Sequence, residues 1–581
     1  MLQKFERFFF MKRLIAAPEV YTALETDVPH RTKWSWLIVL SLLGFILCVV
    51  TGVAPLQRWG GVSAMAQLPM SRLLFGVGAW LPAELPPLKG VRDSLATTGS
   101  GEFLLLVVFM FVLYGFCAWL LSRNVQFVNT RLLAVIMASI IIVALLFVFT
   151  PALLSHDVFA YADYGRTILV YHSNPYFVPP LLSSPHDPIT QLNEWSSVGI
   201  AYGPLWLYTC MFAALVAGTD PLHYIFAFRV LGLCAHVLNT VLILAILRAA
   251  GRSPRIVGLG VLLYGLNPLV LVESCLNAHN DVLMSTFMLL GLWMVLRLTD
   301  EQCLAPTGYI PPIIAFTLAV LIKFTAAPLL LFFILFLFRK TLRGSQASGT
   351  GTSPQKRGLW FKALLRVCSA GLLCGGIALL LYAPFWLGHS VAAIIHSFST
   401  APSSYYGEHS LFRAFIEWAK LYGSPPNTSW KYRLLHVLSL RSTWDTINIA
   451  VLLTTLLVGF VLLWRVPTIQ NVVFATLLVF EGVLLVTPWF YSWYVLWIVP
   501  LAALLFAGFD TPRNRAFTLF AFVFSASAFF TYIFPYYLGP FDGWLGTRYT
   551  LANGLPLFVL LLFLAARMFR KKRAIGPVVG V

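Results

Sequence analysis

The sequence predicts an all-α polytopic membrane protein, a bundle of about 14 transmembrane helices with amphipathic helices in its first large external loop. First, 59% of the 581 residues are hydrophobic and only 11% are charged, which is too little charge for the surface of a water-soluble chain of this length. Second, the apolar residues form long runs. Third, the net charge of +18 comes from Lys and Arg residues that cluster at the ends of those runs, as the positive-inside rule describes. We therefore expect the lipid bilayer, and no nucleic acid, as a partner.

Apolar runs of roughly 15–28 residues mark the expected spans, because a helix of about 20 residues crosses a bilayer. They lie near residues 34–54, 102–122, 131–151, 222–249, 255–273, 281–298, 308–322, 324–339, 361–386, 446–464, 470–487, 492–508, 514–534 and 551–569. The segment 203–218 is also apolar, but counting it as a span would place Arg248, Arg252 and Arg255 outside. We interpret it as a helix at the outer surface.

The same rule predicts an integral plasma-membrane protein with both termini in the cytoplasm. Four segments then face outward, namely 55–101, 152–221, 387–445 and 535–550, and two shorter turns join them, 274–280 and 488–491. We divide the chain into N-terminal transmembrane helices (1–150, with loop 55–101), a membrane core (151–510, with loops 152–221 and 387–445) and C-terminal helices with a basic tail (511–581). The eight Cys residues form no CxxC pair, so they predict neither a disulfide framework nor a metal site.

Polar and aromatic residues concentrate in SHDVFAYADYGR at 155–166, directly after an apolar run. A helix that starts at Ser155 or Asp157 and ends near Gly165 or in the following turn would place Asp157 and Tyr161 on one face. A carboxylate presented at the membrane surface can act as a general base toward a hydroxyl nucleophile. The alternative, in which Asp157 caps a helix and the tyrosines form an interfacial belt, stays open on these residues alone.

Four stretches, in the same order along the chain, resemble the GT-C glycosyltransferases, and in particular the polyprenol-phosphate-mannose-dependent mannosyltransferases. They are SHDVFAYADYGR with NPYFVPP and AYGPLW in the first large external loop, NPLVLVESCLNAHNDVLM at 267–284, LAVLIKFTAAPLLL at 318–331 and PWFYSWYVLWIVPL at 488–501. The resemblance runs from about residue 150 to residue 510.

This resemblance implies a GT-C-like bundle that moves a sugar, in this family mannose, from a polyprenyl-phosphate donor. The acceptor would be a hydroxyl of a glycan, glycolipid or protein outside the cytoplasm, in the cell envelope. In the family the Asp of this external loop is the catalytic base, which falls on Asp157. Single displacement by the acceptor hydroxyl would invert the anomeric centre.

Cationic side chains near the outer ends of spans are candidates for binding the donor phosphate. They are Lys323, Arg166 and Arg229. For Lys323 the alternative is a side chain that snorkels to the surface.

Polar and aromatic side chains of the outer segments are candidates for binding the sugar and the acceptor. They are Tyr161, Asp163, Tyr176, Tyr202, His279, Asn280, Asp281, Glu408, His409 and Trp489. The alternatives are a helix cap for Asn280 or Asp281, ordinary loop structure for Glu408 and His409, and an interfacial belt for Trp489.

No cofactor is expected. A divalent metal held by Asp157, His156, His279 and Glu408 is the less favoured alternative, because their spacing forms no ligand motif. A different functional hypothesis is a membrane transporter or flippase for lipid-linked sugars, which would need paired broken helices and charges within the spans. A structural subunit of a cell-envelope complex is a third.

Overall fold

The computed structural model describes residues 31–80, 100–123, 129–343, 353–399, 407–422, 430–509, 511–532 and 543–574. Within these ranges every named element is a helix, which confirms the all-α prediction. The predicted cytoplasmic ends of the chain fall largely on residues 1–30 and 575–581, outside the described residues, and the loops 55–101, 387–445 and 535–550 are described in part. All eight cysteines are described, and they are free thiols.

The longer helices of the N-terminal part are α1 (Arg31–Gly60), α2 (Pro69–Trp80), α3 (Ser100–Arg123), α4 (Thr130–Phe149), α5 (Asp157–Leu169), α6 (Pro204–Ala217), α7 (Pro221–Ala249), α8 (Pro254–Gly265), α9 (Asp281–Leu296), α10 (Pro306–Val320) and α11 (Ala327–Arg343). Those of the C-terminal part are α12 (Ser353–Trp386), α13 (Val391–Ser399), α14 (Leu411–Tyr422), α15 (Trp430–Leu438), α16 (Arg441–Arg465), α17 (Ile469–Val486), α18 (Val499–Gly508), α19 (Pro512–Ser527) and α20 (Trp544–Ala574). Short helical turns lie between them at Ser63–Ala66, Pro180–Ser183, Pro188–Leu192, Pro268–Leu271, Val272–Leu276, Asp300–Leu304, Phe324–Ala326, Ser492–Trp497 and Ala528–Thr531.

Among the described residues, nine helices are long and apolar enough to cross a membrane, or ten if one bent pair is a single span. The expected number of about 14 is therefore not confirmed. The apolar helices α9 and α10 and the segment Ser492–Gly508 are shorter than these nine. The 16 residues of α9 rise by about 24 Å, against a hydrocarbon thickness of about 30 Å.

The predicted span 255–273 is a bent pair, in which α8 meets Pro268–Leu276 at 54°. Proline has no N–H for the helical ladder, and the residue before it avoids the helical conformation. The side-chain oxygen of Asn267 accepts hydrogen bonds from two N–H groups of the restarting helix. The sequence Asn-Pro thus ends one helix and caps the next.

The segment 152–221 contains helices as predicted, but α5 is enclosed on all sides, since its residues from Asp157 to Thr167 are buried. It ends at Leu169, in the turn that follows Gly165, within the expected range. A Cβ atom at Gly165 would lie 2.2 Å from the carbonyl oxygen of Cys210 in α6. This glycine therefore permits close packing of two helices and does not end the helix.

The turn AYGP fastens this segment to the break between α10 and α11. The N–H groups of Gly203 and Leu205 donate to the carbonyls of Ile322 and Leu321, each over 3.0 Å. A Cβ atom at Gly203 would lie 2.1 Å from the Leu321 oxygen, so only glycine fits here. The pairing places Tyr202 next to the residue that follows Ile322, which is Lys323.

Candidate active site

A cavity of about 320 Å³ lies between α5, the segment 195–202, the α10–α11 break and the segment 489–494. Its described lining contains one carboxylate, Asp157, and one ammonium group, Lys323. Most of the other walls are aromatic and include Tyr164, Tyr176, Trp195, Tyr202, Trp489 and Tyr494. Aromatic faces with a few polar groups are typical of a pocket for a small polar ligand.

Asp157 is the first residue of α5 and is 6% exposed. Its Oδ1 atom accepts a hydrogen bond from Nε1 of Trp195 (3.2 Å), and its Oδ2 atom accepts one from the hydroxyl of Tyr161 (3.5 Å). The carboxylate is thus bound by side chains, and His156 stands at the N-cap position without a side-chain cap bond. Burial raises the pKa of Asp157 to about 6, although the charge of Lys323 acts in the opposite direction. A carboxylate of this basicity is well suited to take a proton near neutral pH.

Lys323 lies in the break between α10 and α11, and its side chain is 11% exposed. The Nζ atom is 2.6 Å from Oδ1 of Asp281, which also accepts a hydrogen bond from the indole of Trp497. The ammonium group lies 4.6 Å from the ring centre of Tyr494 and 5.8 Å from that of Tyr202. The carboxylate and the aromatic faces hold it at the cavity wall.

His279 stands directly behind Asp157. Its Nδ1 atom is 3.6 Å from Oδ2 of Asp157 and 3.4 Å from the hydroxyl oxygen of Tyr161. Its ring stacks on Trp493 with centroids 4.0 Å apart. Burial, together with the charge of Lys323, lowers the pKa of His279 well below its ordinary value, so the imidazole is neutral.

Residues 58–339 match the family described as alpha-(1->6)-mannopyranosyltransferase, N-terminal domain. The match confirms the resemblance to GT-C mannosyltransferases, and the protein is a membrane mannosyltransferase. It includes Asp157, His279 and Lys323, whereas the aromatic wall at 489–494 lies beyond it. No curated protein matches the chain.

Three further predicted residues of the mannosyltransferase lie at or next to the cavity. Tyr202 and Trp489 line it, as does Tyr176, whose hydroxyl donates to the carbonyl of Tyr202 over 3.0 Å. Asn280 precedes α9 but makes no side-chain cap bond, and among the described residues its amide group has no hydrogen-bond partner.

The opposite face of α5 is structural. Asp163 accepts hydrogen bonds from Thr190 (2.8 Å) and Asn193 (2.9 Å), which holds the loop onto the helix. Arg166 forms an ion pair with Asp187, in which Nε of Arg166 donates to Oδ2 of Asp187 over 3.0 Å. Both side chains are buried, with 6% of Arg166 and 0% of Asp187 exposed. Neither Asp163 nor Arg166 belongs to the cavity lining, so we leave both out of the substrate site proposed below.

Arg229 is fully buried and likewise lies outside the cavity lining of the mannosyltransferase. Its guanidinium group donates to backbone carbonyls that come from the end of α4 and from the turn before α9. These acceptors belong to Val148, Thr150, Ala152 and Leu276. Arg229 thus fixes the segment that leads into α5.

Glu408 and His409 support the aromatic wall from outside. The N–H of Glu408 donates to the carbonyl of Pro488 (3.1 Å), and the N–H of Phe490 donates to the carbonyl of Glu408 (3.0 Å). The ring centre of His409 is 5.1 Å from that of Tyr491. They anchor the loop 387–445 to the wall, and neither belongs to the cavity lining.

Within the described ranges, no three or more His, Cys, Asp or Glu side chains are placed to hold a metal ion.

Several site residues carry little or no signal in the sequence. The indole N–H of Trp195 donates to Asp157, and that of Trp497 donates to Asp281, each from a segment distant in sequence. Neither was predicted, because a single tryptophan does not stand out in a chain rich in aromatic residues. Asp187 precedes a proline, which is a helix-start signal but does not predict its pairing with Arg166. Glu273 did carry a signal, because a carboxylate within an apolar run is costly unless it serves a function.

Proposed function

We propose that the protein is an inverting mannosyltransferase that uses a polyprenyl-phosphate mannose donor, with Asp157 as the general base. The acceptor is a hydroxyl group of an extracytoplasmic glycan, glycolipid or protein. The description of the matching family favours the 6-hydroxyl of a mannose-containing acceptor.

The observation that carries this proposal is the single carboxylate in the described cavity lining. A double displacement with retention would need a second carboxylate as nucleophile close to the first. Single displacement from a phosphate donor needs only one base, because the phosphate leaves without a proton from an acid. The acceptor oxygen bonds to C1 of mannose, its proton passes to Asp157, and the C1–oxygen bond to the phosphate breaks. The bonding electrons leave with the lipid phosphate.

Lys323 supports the donor assignment. It is the one cation in the described lining of the cavity that contains Asp157, and a fixed ammonium group stabilises the charge that develops on a departing phosphate. The surrounding tyrosine and tryptophan faces suit the apolar face of a sugar ring. An apolar donor chain would remain in the bilayer, which the site borders.

We place the cavity on the extracytoplasmic face of the plasma membrane. The positive-inside rule supports this orientation, because it puts most basic connecting segments on the opposite side. The acceptor is then met outside the cell, where no nucleotide sugar is supplied, which agrees with a lipid-linked donor.

The test uses the full chain in lipid nanodiscs with synthetic polyprenyl-phosphate mannose and a short α-1,6-linked mannoside. We expect mass spectrometry to show one added hexose and NMR to show inversion at C1. Asp157→Asn is expected to lower turnover by about 10²- to 10⁴-fold, the usual contribution of a general base.

The matched control is Asp220→Asn, which removes an exposed carboxylate from the same external segment. It is expected to keep the parent turnover. If Asp157→Asn also keeps it, Asp157 is not the base. Donor binding without product, together with movement of the lipid between the leaflets of vesicles, would support the flippase hypothesis instead.

A further inference from the structure

A buried carboxylate that the proposed reaction does not use lies behind the base. Glu273 is 0% exposed and belongs to the π-helical turn Val272–Leu276. Its Oε2 atom is 3.3 Å from Nε2 of His279, whose Nδ1 atom is 3.6 Å from Oδ2 of Asp157. One imidazole therefore lies between two carboxylates, and in this structure its Nε2 atom has no hydrogen-bond partner among the described residues.

The backbone around this imidazole is unusual in two ways. A π-helical turn is rare and is often found at functional sites. Ala278, the residue before His279, has a φ of 60°, in the left-handed region that residues with a side chain seldom adopt. Such strain persists only where the surroundings enforce it. Here the N–H of His279 donates to the carbonyl of Glu273 over 2.9 Å, and Trp493 stacks on the ring.

Glu273 is itself held in position relative to the base. Its Oε2 atom accepts hydrogen bonds from Nδ2 of Asn277 (2.9 Å) and from the hydroxyl of Tyr532 (3.2 Å). The side-chain oxygen of Asn277 accepts one from the N–H of Leu154, in the segment that leads into α5. The carboxylate, the imidazole and the start of the base-bearing helix are thus connected.

We propose that Glu273 and His279 are positioning residues that form a proton relay with Asp157, a role that rests on the mannosyl transfer proposed above. After Asp157 takes the proton of the acceptor hydroxyl, it passes this proton to Nδ1 of His279. The proton on Nε2 moves to Glu273 at the same time. Asp157 becomes a carboxylate again, Glu273 becomes a carboxylic acid, and His279 exchanges one neutral tautomer for the other.

This step agrees with the environment of His279. The imidazole stays neutral throughout, as its burial requires. Both distances exceed an ideal hydrogen bond, and contacts of this kind tighten when the substrate binds. After the product leaves, the proton returns by the same route to water in the cavity.

Other titratable and charged groups face this relay from the elements packed against it. They are Glu194, Asp281 and Lys323 among the charged side chains, and Tyr161, Tyr202, Tyr491, Tyr494 and Tyr532 among the hydroxyls. The relay is therefore a coupled group, and kinetics report the macroscopic pKa values of the whole group.

The experiment is Glu273→Gln, followed by steady-state mannosyl transfer as a function of pH. We expect kcat to fall about tenfold while KM for the donor stays unchanged, because the relay touches neither mannose nor phosphate. We also expect the acid limb of kcat/KM to move to lower pH. The relay can accept a proton only while Glu273 is ionised, so without Glu273 the acid limb depends on Asp157 alone.

Glu481→Gln is the matched control. Glu481 is a 4% exposed carboxyl in α17, outside the cavity lining, and its oxygens have no hydrogen-bond partner among the described residues. It should keep the parent kcat and pH profile. Tyr532→Phe removes only a hydroxyl and so guards against a folding defect. It should move the acid limb to higher pH, opposite to Glu273→Gln, because it makes Glu273 easier to protonate and a protonated Glu273 cannot accept the proton.

If Glu273→Gln keeps the kcat and the pH profile of the parent while Asp157→Asn is inactive, the relay is wrong and the proposed function stands. A change in donor KM or protein yield alone, with the acid limb unmoved in both variants, would show a merely structural role and would also overturn it. If the parent protein transfers no mannose, the proposed function itself fails.

Discussion

Replacing Asp157 by Asn is expected to stabilise the protein at neutral pH while it removes activity. Burial raises the pKa of Asp157 from an ordinary value of 3.8 to about 6. The folded protein therefore disfavours the charged form that a general base needs. Asn cannot ionise, so the substitution removes this cost.

The size of the effect follows from the pKa. A rise from 3.8 to about 6 corresponds to about 3 kcal/mol between the two protonation states. The folded state binds this proton more tightly than the unfolded state, so its stability is greatest below pH 3.8 and falls as the pH rises through about 6. Above that pH the full difference of about 3 kcal/mol separates the parent from Asp157→Asn.

The assay is unfolding in detergent micelles, followed by tryptophan fluorescence at about pH 4 and about pH 7.5. The unfolding midpoint of Asp157→Asn should exceed that of the parent by more at the higher pH than at the lower pH. Comparing two pH values cancels any pH-independent loss of the Trp195 and Tyr161 hydrogen bonds. Asp220→Asn, which removes an exposed carboxylate, should show no such widening. An equal gap at both pH values, or one that favours the parent at high pH, would refute the reasoning.

Two further substitutions test the supports of the site. Asp187→Ala should lower the stability of the folded protein by about 3–5 kcal/mol, because it leaves the buried guanidinium group of Arg166 unpaired, and unfolding midpoints measure this. Gly203→Ala should raise KM for the donor. The new Cβ atom would lie 2.1 Å from the Leu321 oxygen and would displace the α10–α11 break, which carries Lys323. An unchanged KM would contradict this prediction.

Helix existence was predictable because apolar runs and helical length depend on local sequence alone. Whether an apolar run forms one continuous helix could not be predicted in this way. The run 255–273 is apolar enough for a span, yet it bends by 54° at Pro268. Helix α5 was expected to end near Gly165 or in the following turn, and it ends in that turn, because Gly165 admits the backbone of Cys210 and does not end the helix. Whether a glycine ends a helix or admits a neighbour depends on what packs against it.

The candidate site was predictable only in its central residues. Asp157 and Lys323 stood out because a charged residue next to an apolar run is costly. Arg166 and Arg229 stood out for the same reason, but the structure surrounds them with protein acceptors. A sequence shows that a buried charge must have a partner and does not show which partner it has.

The sequence alone determined the helical membrane class, the orientation expected from its basic residues, and the loop that carries the carboxylate. Composition and charge bias decide these properties, and both can be counted along the chain. The tertiary structure decided that Asp157 shares a cavity with Lys323, and that His279 separates Asp157 from Glu273. These contacts join segments far apart in sequence, and their distances follow from packing, on which burial and electrostatics depend.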